Sequence, residues 1–326
     1  MNQGKSSFSL ILKGMAMGIA EVIPGVSGGT IAFITGIYER LINAIKAVGP
    51  GLFTVFKEDG IKGVWSALDG NFLLLLVGGM AGGIVIGVLG VTSLIETQPE
   101  ILWAFFFGLI IASSIYIAKQ ITNWSIKEIV ALILGAVIAY AICTLSPAQG
   151  SSNPFFIILS GAIAISALIL PGISGSFILL MMGMYAMIIP NMKNALTTFE
   201  WDSIQILLLF GIGCIIGLMT FSRVLSWTFK NYKNVTLATM TGFILGSLSK
   251  IWPWRNPLEW QDDTGKRLSD VSGMTVDEIS ELKVLVEENV LPSAYEGDPK
   301  VLSVVIAMLV GFVLVFVLDR FSSNES

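Results

Sequence analysis

Glu21-Val22-Ile23-Pro24-Gly25-Val26-Ser27-Gly28-Gly29-Thr30 is the stretch on which the reading of this chain turns. It lies between two apolar arms and returns, altered, as Leu168-Ile169-Leu170-Pro171-Gly172-Ile173-Ser174-Gly175-Ser176. Residues 161–185 repeat residues 14–38 at a constant offset of 147. Gly14, Ala20, Pro24, Gly25, Ser27, Gly28, Ile31, Gly36 and Tyr38 recur as Gly161, Ala167, Pro171, Gly172, Ser174, Gly175, Ile178, Gly183 and Tyr185. Nine identities in 25 ungapped positions define an internal repeat, and a repeat fixes the architecture.

Working outward, the 326 residues are 54% hydrophobic and 13% charged, where soluble domains carry about 25% charged residues. The chain reads as an all-α polytopic membrane protein, with no element pointing to nucleic acid. No cleavable signal peptide is expected, because Glu21 and Pro24 interrupt the first apolar arm. Cys143 and Cys214 fall inside apolar runs and read as buried thiols. Histidine is absent, which removes the commonest metal ligand and proton shuttle; no metal and no cofactor are expected.

The arms 8–23 and 27–47 flank the first Pro-Gly break. Sixteen residues of helix reach about 24 Å, short of a hydrocarbon core of roughly 30 Å. Hairpin 8–47 is therefore expected to be re-entrant. A polar connector over 48–70 carries Lys57, Glu58, Asp59, Lys62 and Asp69. Spans are expected at 71–95, 100–119 and 126–146. A second hairpin, 155–190, precedes spans at 204–226, 235–251 and 300–319. Leu74–Gly78 resembles Leu207–Gly211, and Gly108–Ser113 resembles Gly242–Ser247, which extends the repeat beyond the hairpins. The expected domains are thus 1–150 and 151–326, each a re-entrant helical hairpin plus three transmembrane helices. A hairpin returns the chain to its starting side and three spans flip it, so the two repeats are expected to be inverted.

Lys5, Lys13, Arg40, Lys46, Lys57, Lys62, Lys119, Lys127, Arg223, Lys230, Lys233 and Arg320 fall on one side of this arrangement, and short loops opposite hold only Lys193. By the positive-inside rule both termini are expected in the cytoplasm of a multi-pass plasma-membrane protein. Loop 252–299 then lies outside, with eleven acids between Glu259 and Asp298. Within it, Thr275 as N-cap, Glu278 three residues on, then Leu282, Leu285 and Val286 predict a helix over 275–289.

The chemistry lies at the hairpin tips. Broken backbone at membrane depth survives only where protein buries it or it lines a wet cavity. Ser27 and Ser174 are suitable N-caps after the breaks Pro24-Gly25 and Pro171-Gly172. Gly28, Gly29, Gly175 and Ser176 would leave backbone N–H groups open to a ligand, with Thr30 and Ser176 adding hydroxyls. A helix N-terminus favours an anion, phosphate above all. The alternative is that these small residues only permit close helix packing. Gly78, Gly79, Gly82, Gly83 and Gly87 read as packing residues.

Glu21 is the acid within a membrane arm, where ionisable groups are costly and usually functional. It is a candidate for binding a coupling proton or cation, or for holding the tip by accepting backbone N–H bonds; the repeat has Leu168 in its place. Arg223 is a candidate for the phosphate or for Glu21, the alternative being that it snorkels to the interface. Tyr38, Tyr185, Trp103, Trp124 and Trp201 read as interfacial anchors. Glu39 and Arg40 read as a solvated pair.

From Glu21 to Arg40, through Pro24-Gly25-Val26-Ser27-Gly28-Gly29-Thr30 and Gly36-Ile37-Tyr38-Glu39-Arg40, the chain resembles the bacterial undecaprenyl-phosphate (polyprenyl-phosphate) translocase family, formerly a domain of unknown function. Pro171-Gly172-Ile173-Ser174-Gly175-Ser176 fits the same pattern, and the resemblance covers essentially the whole chain. It implies a transporter, not an enzyme, whose partner is an anionic polyprenyl-phosphate lipid. Undecaprenyl phosphate would be flipped from the outer to the cytoplasmic leaflet, recycling the lipid carrier of cell-wall synthesis. Undecaprenyl-pyrophosphate phosphatases have paired re-entrant hairpins too, with a Pro-Gly-x-Ser-Arg-Ser-Gly turn. Gly175 stands where that family places its arginine, and no base or cation neighbours the tip serines, which argues against phosphatase chemistry. A small-anion channel or exchanger is the other alternative. Oligomeric state is not readable from the residues.

Overall fold

A computed structural model describes residues 3–22, 27–91, 94, 97–145, 148, 150–262, 266–275, 278–279 and 282–323. The first half begins with α1 (Gln3–Val22), α2 (Gly28–Ile34) and α3 (Tyr38–Ala47). Next come α4 (Gly51–Ala67), α5 (Gly70–Ile86, continued by a π turn to Val91), α6 (Pro99–Lys119) and α7 (Ile126–Thr144). The second half has α8 (Pro154–Ile169), α9 (Gly175–Met181), α10 (Tyr185–Thr197), α11 (Trp201–Asn231), α12 (Lys233–Ser247) and, after a small sheet, α13 (Val301–Ser323). Among the described residues four helices are long and apolar enough to cross a membrane: Gly70–Gly90, Pro99–Lys119, Ile126–Thr144 and Trp201–Asn231. A fifth span results if the bent pair Gly175–Met181 and Tyr185–Met192 is counted as one.

The offset of 147 recurs in the backbone. α2 and α9 are both seven-residue helices, and their limits differ by 147, as do the starts of α3 and α10. Each second arm, expected as one helix, is broken in two. Gly36 (φ 72°) and Gly183 (φ 68°) adopt the left-handed conformation that ends a helix. Gly36 N–H donates to the Phe33 carbonyl and Ile37 N–H to that of Ala32; Gly183 and Met184 repeat both bonds to Leu180 and Leu179. These are paired Schellman motifs, and α9 and α10 consequently meet at 119°.

Glycines knit four helix pairs at backbone distance, the packing expected where water supplies no drive between helices. Gly14 and Gly18 of α1 face Leu76 and Met80 of α5, while Gly79 and Gly83 face back onto Ile11 and Met15. In α8 and α11, Gly161 faces Phe210, and Gly213 and Gly217 face Ile158 and Ala162. Gly108 and Gly311 join α6 to α13; Gly135, Gly242 and Gly246 join α7 to α12. Gly78 and Gly82 meet no neighbour, so only part of that glycine run is packing.

Four local expectations change. α1 has 20 residues and spans about 30 Å, longer than the arm 8–23. The polar connector is helical: α4 covers it, kinked at Gly60 (φ 64°), with Phe53, Phe56, Ile61 and Trp65 exposed. The chain is mostly helical as expected, with one addition outside the bundle, where β1 (Arg255–Gln261), β2 (Arg267–Leu268) and β3 (Lys283–Asn289) form an antiparallel sheet in the order β2-β1-β3. The helix expected over 275–289 is therefore replaced in part by β3. Thr275 and Glu278 do make a capping box, with Thr275 N–H donating to Glu278 Oε2 at 2.7 Å. The Lys283-Val284-Leu285-Val286 run, rich in β-branched residues, then pairs with β1. Val276 and Asp277 lie outside the described residues.

The sheet is fastened to the bundle. Trp254 Nε1 donates to the Pro299 carbonyl at 2.8 Å, and Trp252 Nε1 to that of Val290 at 2.8 Å. Tyr295 OH donates to Glu100 at the start of α6 at 2.8 Å, and Lys300 pairs with the same carboxylate at 3.4 Å.

Candidate substrate site

Pro24 and Gly25 lie outside the described residues; the first tip is described from Ser27. Ser27 is extended (φ −111°, ψ 131°) and fully buried. Its Oγ accepts the Gly29 N–H at 3.1 Å, the bond of an N-cap. The Gly28 N–H donates to Glu21 Oε1 at 2.8 Å. At the first tip the two donors that the sequence left open to a ligand are thus occupied from within, the Gly29 N–H by a hydroxyl and the Gly28 N–H by a carboxylate. A negative group at the positive end of α2 is what the unpaired N–H groups favour.

The second tip is built alike but capped differently. Gly172 turns with φ 88°, and Pro171, Gly172, Ser174 and Gly175 are buried. Ser174 holds the N-cap position of α9 (φ −90°, ψ 135°) without capping it. Its hydroxyl bonds that of Ser176 at 2.8 Å instead. Ser176 is exposed and lines a cavity facing the sheet. Leu168, standing where Glu21 would repeat, supplies no carboxylate, so tip one is closed by its own acid and tip two is not.

The two tips meet. Thr30 Oγ1 accepts the Gly172 N–H at 2.9 Å, and Ser27 Oγ donates to the Leu170 carbonyl at 3.3 Å. Gly29 lies so close to the Ile169 and Leu168 carbonyls that a side chain there would collide with them. Tyr38 completes the seam: its hydroxyl donates to the Ile169 carbonyl at 2.9 Å, and its ring packs on Phe33 (4.9 Å) and Phe229 (5.9 Å). These bonds satisfy carbonyls at the C-terminal end of α8 that have no helical partner.

Several expectations are corrected. Tyr38 is 2% exposed and is no interfacial anchor. Trp103 is also buried, lying under the Arg255 guanidinium at 4.6 Å, whereas Trp124 and Trp201 are exposed. Arg223 donates to the Met219 and Val48 carbonyls, the latter at 3.2 Å, and so serves the end of α3; among the described residues it bonds neither Glu21 nor a tip residue. Glu39 and Arg40 do not pair with each other: Arg40 is bidentate on Asp69 (2.6 and 3.0 Å), and Glu39 pairs with Lys233 at 2.9 Å. The cross-tip roles of Thr30 and Tyr38 were not visible in the motif; the recurrence of Tyr38 as Tyr185 was the available signal.

A helical membrane protein whose two short buried helices meet tip to tip is the class that the fold and site define. The chain belongs to the undecaprenyl phosphate translocase-like family, whose model matches residues 17–268. It is 47% identical over 253 residues to the polyprenyl-phosphate transporter of Vibrio cholerae serotype O1 (strain ATCC 39315 / El Tor Inaba N16961), covering 78% of this chain and 80% of the relative. It is 31% identical over 259 residues to the polyprenyl-phosphate transporter of Staphylococcus aureus (strain NCTC 8325 / PS 47), covering 74% and 85%. No solved structure matches it significantly. The family is one of transporters, not of enzymes.

Proposed function

We propose that this protein carries undecaprenyl phosphate, or a polyprenyl phosphate like it, from the outer to the cytoplasmic leaflet of the plasma membrane, returning the lipid carrier for cell-wall synthesis. The names of the two relatives support the substrate. The observation that carries the mechanism is the Glu21 carboxylate on the Gly28 N–H at the seam of the tips. A position that holds one oxyanion suits another, and the phosphate takes the place of the carboxylate. Pro24, Gly25, Ser27, Gly28, Gly29 and Thr30 form one side of the site; Pro171, Gly172, Ser174, Gly175 and Ser176 form the other.

Exchange of anions also supplies coupling. Glu21 leaves the α2 N-terminus as it takes up a proton or a cation, and the phosphate enters. When Glu21 loses its proton it returns and expels the phosphate. Alternating access by two inverted repeats, 1–150 and 151–326, with re-entrant hairpins fits the shared helix limits and the matched glycine breaks. The Lys and Arg distribution supports cytoplasmic termini and an external sheet.

Proteoliposomes loaded with undecaprenyl phosphate test this reading: the lipid should change leaflet in a protein-dependent way. Inorganic phosphate is measured in parallel with the pyrophosphate form. Phosphate release would replace the proposal with a phosphatase, and conductance without lipid movement would replace it with a channel.

A further inference from the structure

Beside tip two, the end of α12, β1 and β3 enclose a cavity of about 300 Å³. A second cavity of about 480 Å³ shares Lys250, Arg255, Leu285 and Glu287 with it. The charged side chains of the smaller cavity are Lys250, Arg255 and Glu287, two cations and one acid. Glu287 Oε2 lies 2.5 Å from Arg255 Nη1 and 3.8 Å from Lys250 Nζ, so one carboxylate is divided between two positive groups. Glu288 lines only the larger cavity.

Arg255 is committed to this place. Its side chain is 9% exposed, and its guanidinium lies over the Trp103 ring. Its Nε is buried and has no hydrogen-bond partner among the described residues. Buried guanidinium donors are almost always satisfied, and one left over calls for an acceptor. Burial pulls the Arg255 guanidinium below its ordinary value, and the pull of Glu287 the other way is the smaller effect. Lys250 is held similarly, with Nζ 5.3 Å from the Phe177 ring centre.

We propose that Lys250 and Arg255 form an anion site for a phosphate monoester, separate from the tip seam and loading it. This deepens the transport reading and rests on it for its place in the cycle. The unused Arg255 donor and Lys250 together match a phosphate, which Arg binds as a planar fork and Lys as a point charge. Trp103, Phe177, Leu180 and Leu285 form an apolar wall that suits the first units of a prenyl chain. Ser176, bonded to Ser174, stands in the same cavity and connects it to tip two. The resident Glu287 competes with the incoming anion.

The test is calorimetric titration of the full-length protein in nanodiscs with farnesyl phosphate and, separately, inorganic phosphate. Arg255→Gln and Lys250→Gln should each weaken farnesyl phosphate binding about tenfold, the scale of one charged hydrogen bond. Glu287→Gln should tighten it, a direction that misfolding does not produce. Weakening for both probes assigns shared phosphate chemistry; weakening for farnesyl phosphate alone assigns a lipid head-group site. Unchanged affinity in Arg255→Gln and Lys250→Gln, in a protein that still transports, overturns the anion site and leaves the transport reading intact. Binding with these variant effects in a protein that moves no polyprenyl phosphate removes the transport reading and keeps the site.

Discussion

Glu21 and Gly28 are joined by a 2.8 Å hydrogen bond from the Gly28 N–H to Glu21 Oε1, which places the membrane-arm acid on the first turn of α2. The acid and the helix end, seven positions apart in the chain, thus form one unit. In the repeat, Leu168 and Gly175 occupy the same two positions without such a bond.

Glu21→Gln keeps the shape and an acceptor oxygen but not the charge. Transport should slow by about tenfold, the scale of losing one charge-assisted hydrogen bond, and should lose its dependence on pH or on the coupling ion. The sign follows from the exchange: in the wild type, acid on the entry side favours the protonated Glu21 and so phosphate entry. A pH–rate series in proteoliposomes reads this, and a variant with the wild-type pH dependence would sink the coupling role.

Thr30→Val removes the acceptor of the buried Gly172 N–H while keeping side-chain volume. An orphaned buried donor costs about 1–3 kcal/mol, so the midpoint of thermal unfolding in detergent should fall clearly below that of the wild type. Thr30→Ser retains the hydroxyl and should recover most of the loss.

Tyr38→Phe deletes the hydroxyl that donates to the Ile169 carbonyl. A typical net loss is about 0.5–1.5 kcal/mol. The ring contacts with Phe33 and Phe229 remain, so the effect should be smaller than that of Tyr38→Ala. Denaturant titration of the three proteins ranks them, and equal stability of Tyr38→Phe and Tyr38→Ala would contradict the assignment.

Gly36→Ala and Gly183→Ala put a side chain where φ is positive. Each should cost about 1–2 kcal/mol, because an L-residue meets its own carbonyl oxygen in the left-handed region. No neighbouring atom crowds a Cβ at Gly36, so the penalty there is conformational alone. Thermal shifts for the two variants should be similar, and an unaffected Gly36→Ala protein would argue against the Schellman turn.

Much of this was legible because the repeat is long and the spans are strongly apolar. The offset of 147 was read from nine residues and returned in the limits of α2 and α9. The breaks at Gly36 and Gly183 are not legible in the sequence, although both glycines belong to the repeat, because a glycine inside an apolar arm looks the same whether it packs or turns. Tyr38 reads as an anchor because aromatic residues near span ends usually seek the interface, and only the fold brings the Ile169 carbonyl beneath it. β3 reads as helix in the sequence because its capping signal at Thr275 and Glu278 is real but local, while pairing with β1 is not. Lys250, Arg255 and Glu287 carry no spacing that could have joined them.

The glycine-knit pairs have a consequence for how such a chain can arise. α1 with α5 and α8 with α11 pair within a half, but α6 with α13 and α7 with α12 pair across the halves. The helix expected as the second span of each half thus packs on the helix expected as the third span of the other. Residue 150 therefore divides the chain but not the folded molecule, and either half made alone would expose glycine-lined faces to lipid. A single copy of the repeat would need a second copy to cover them.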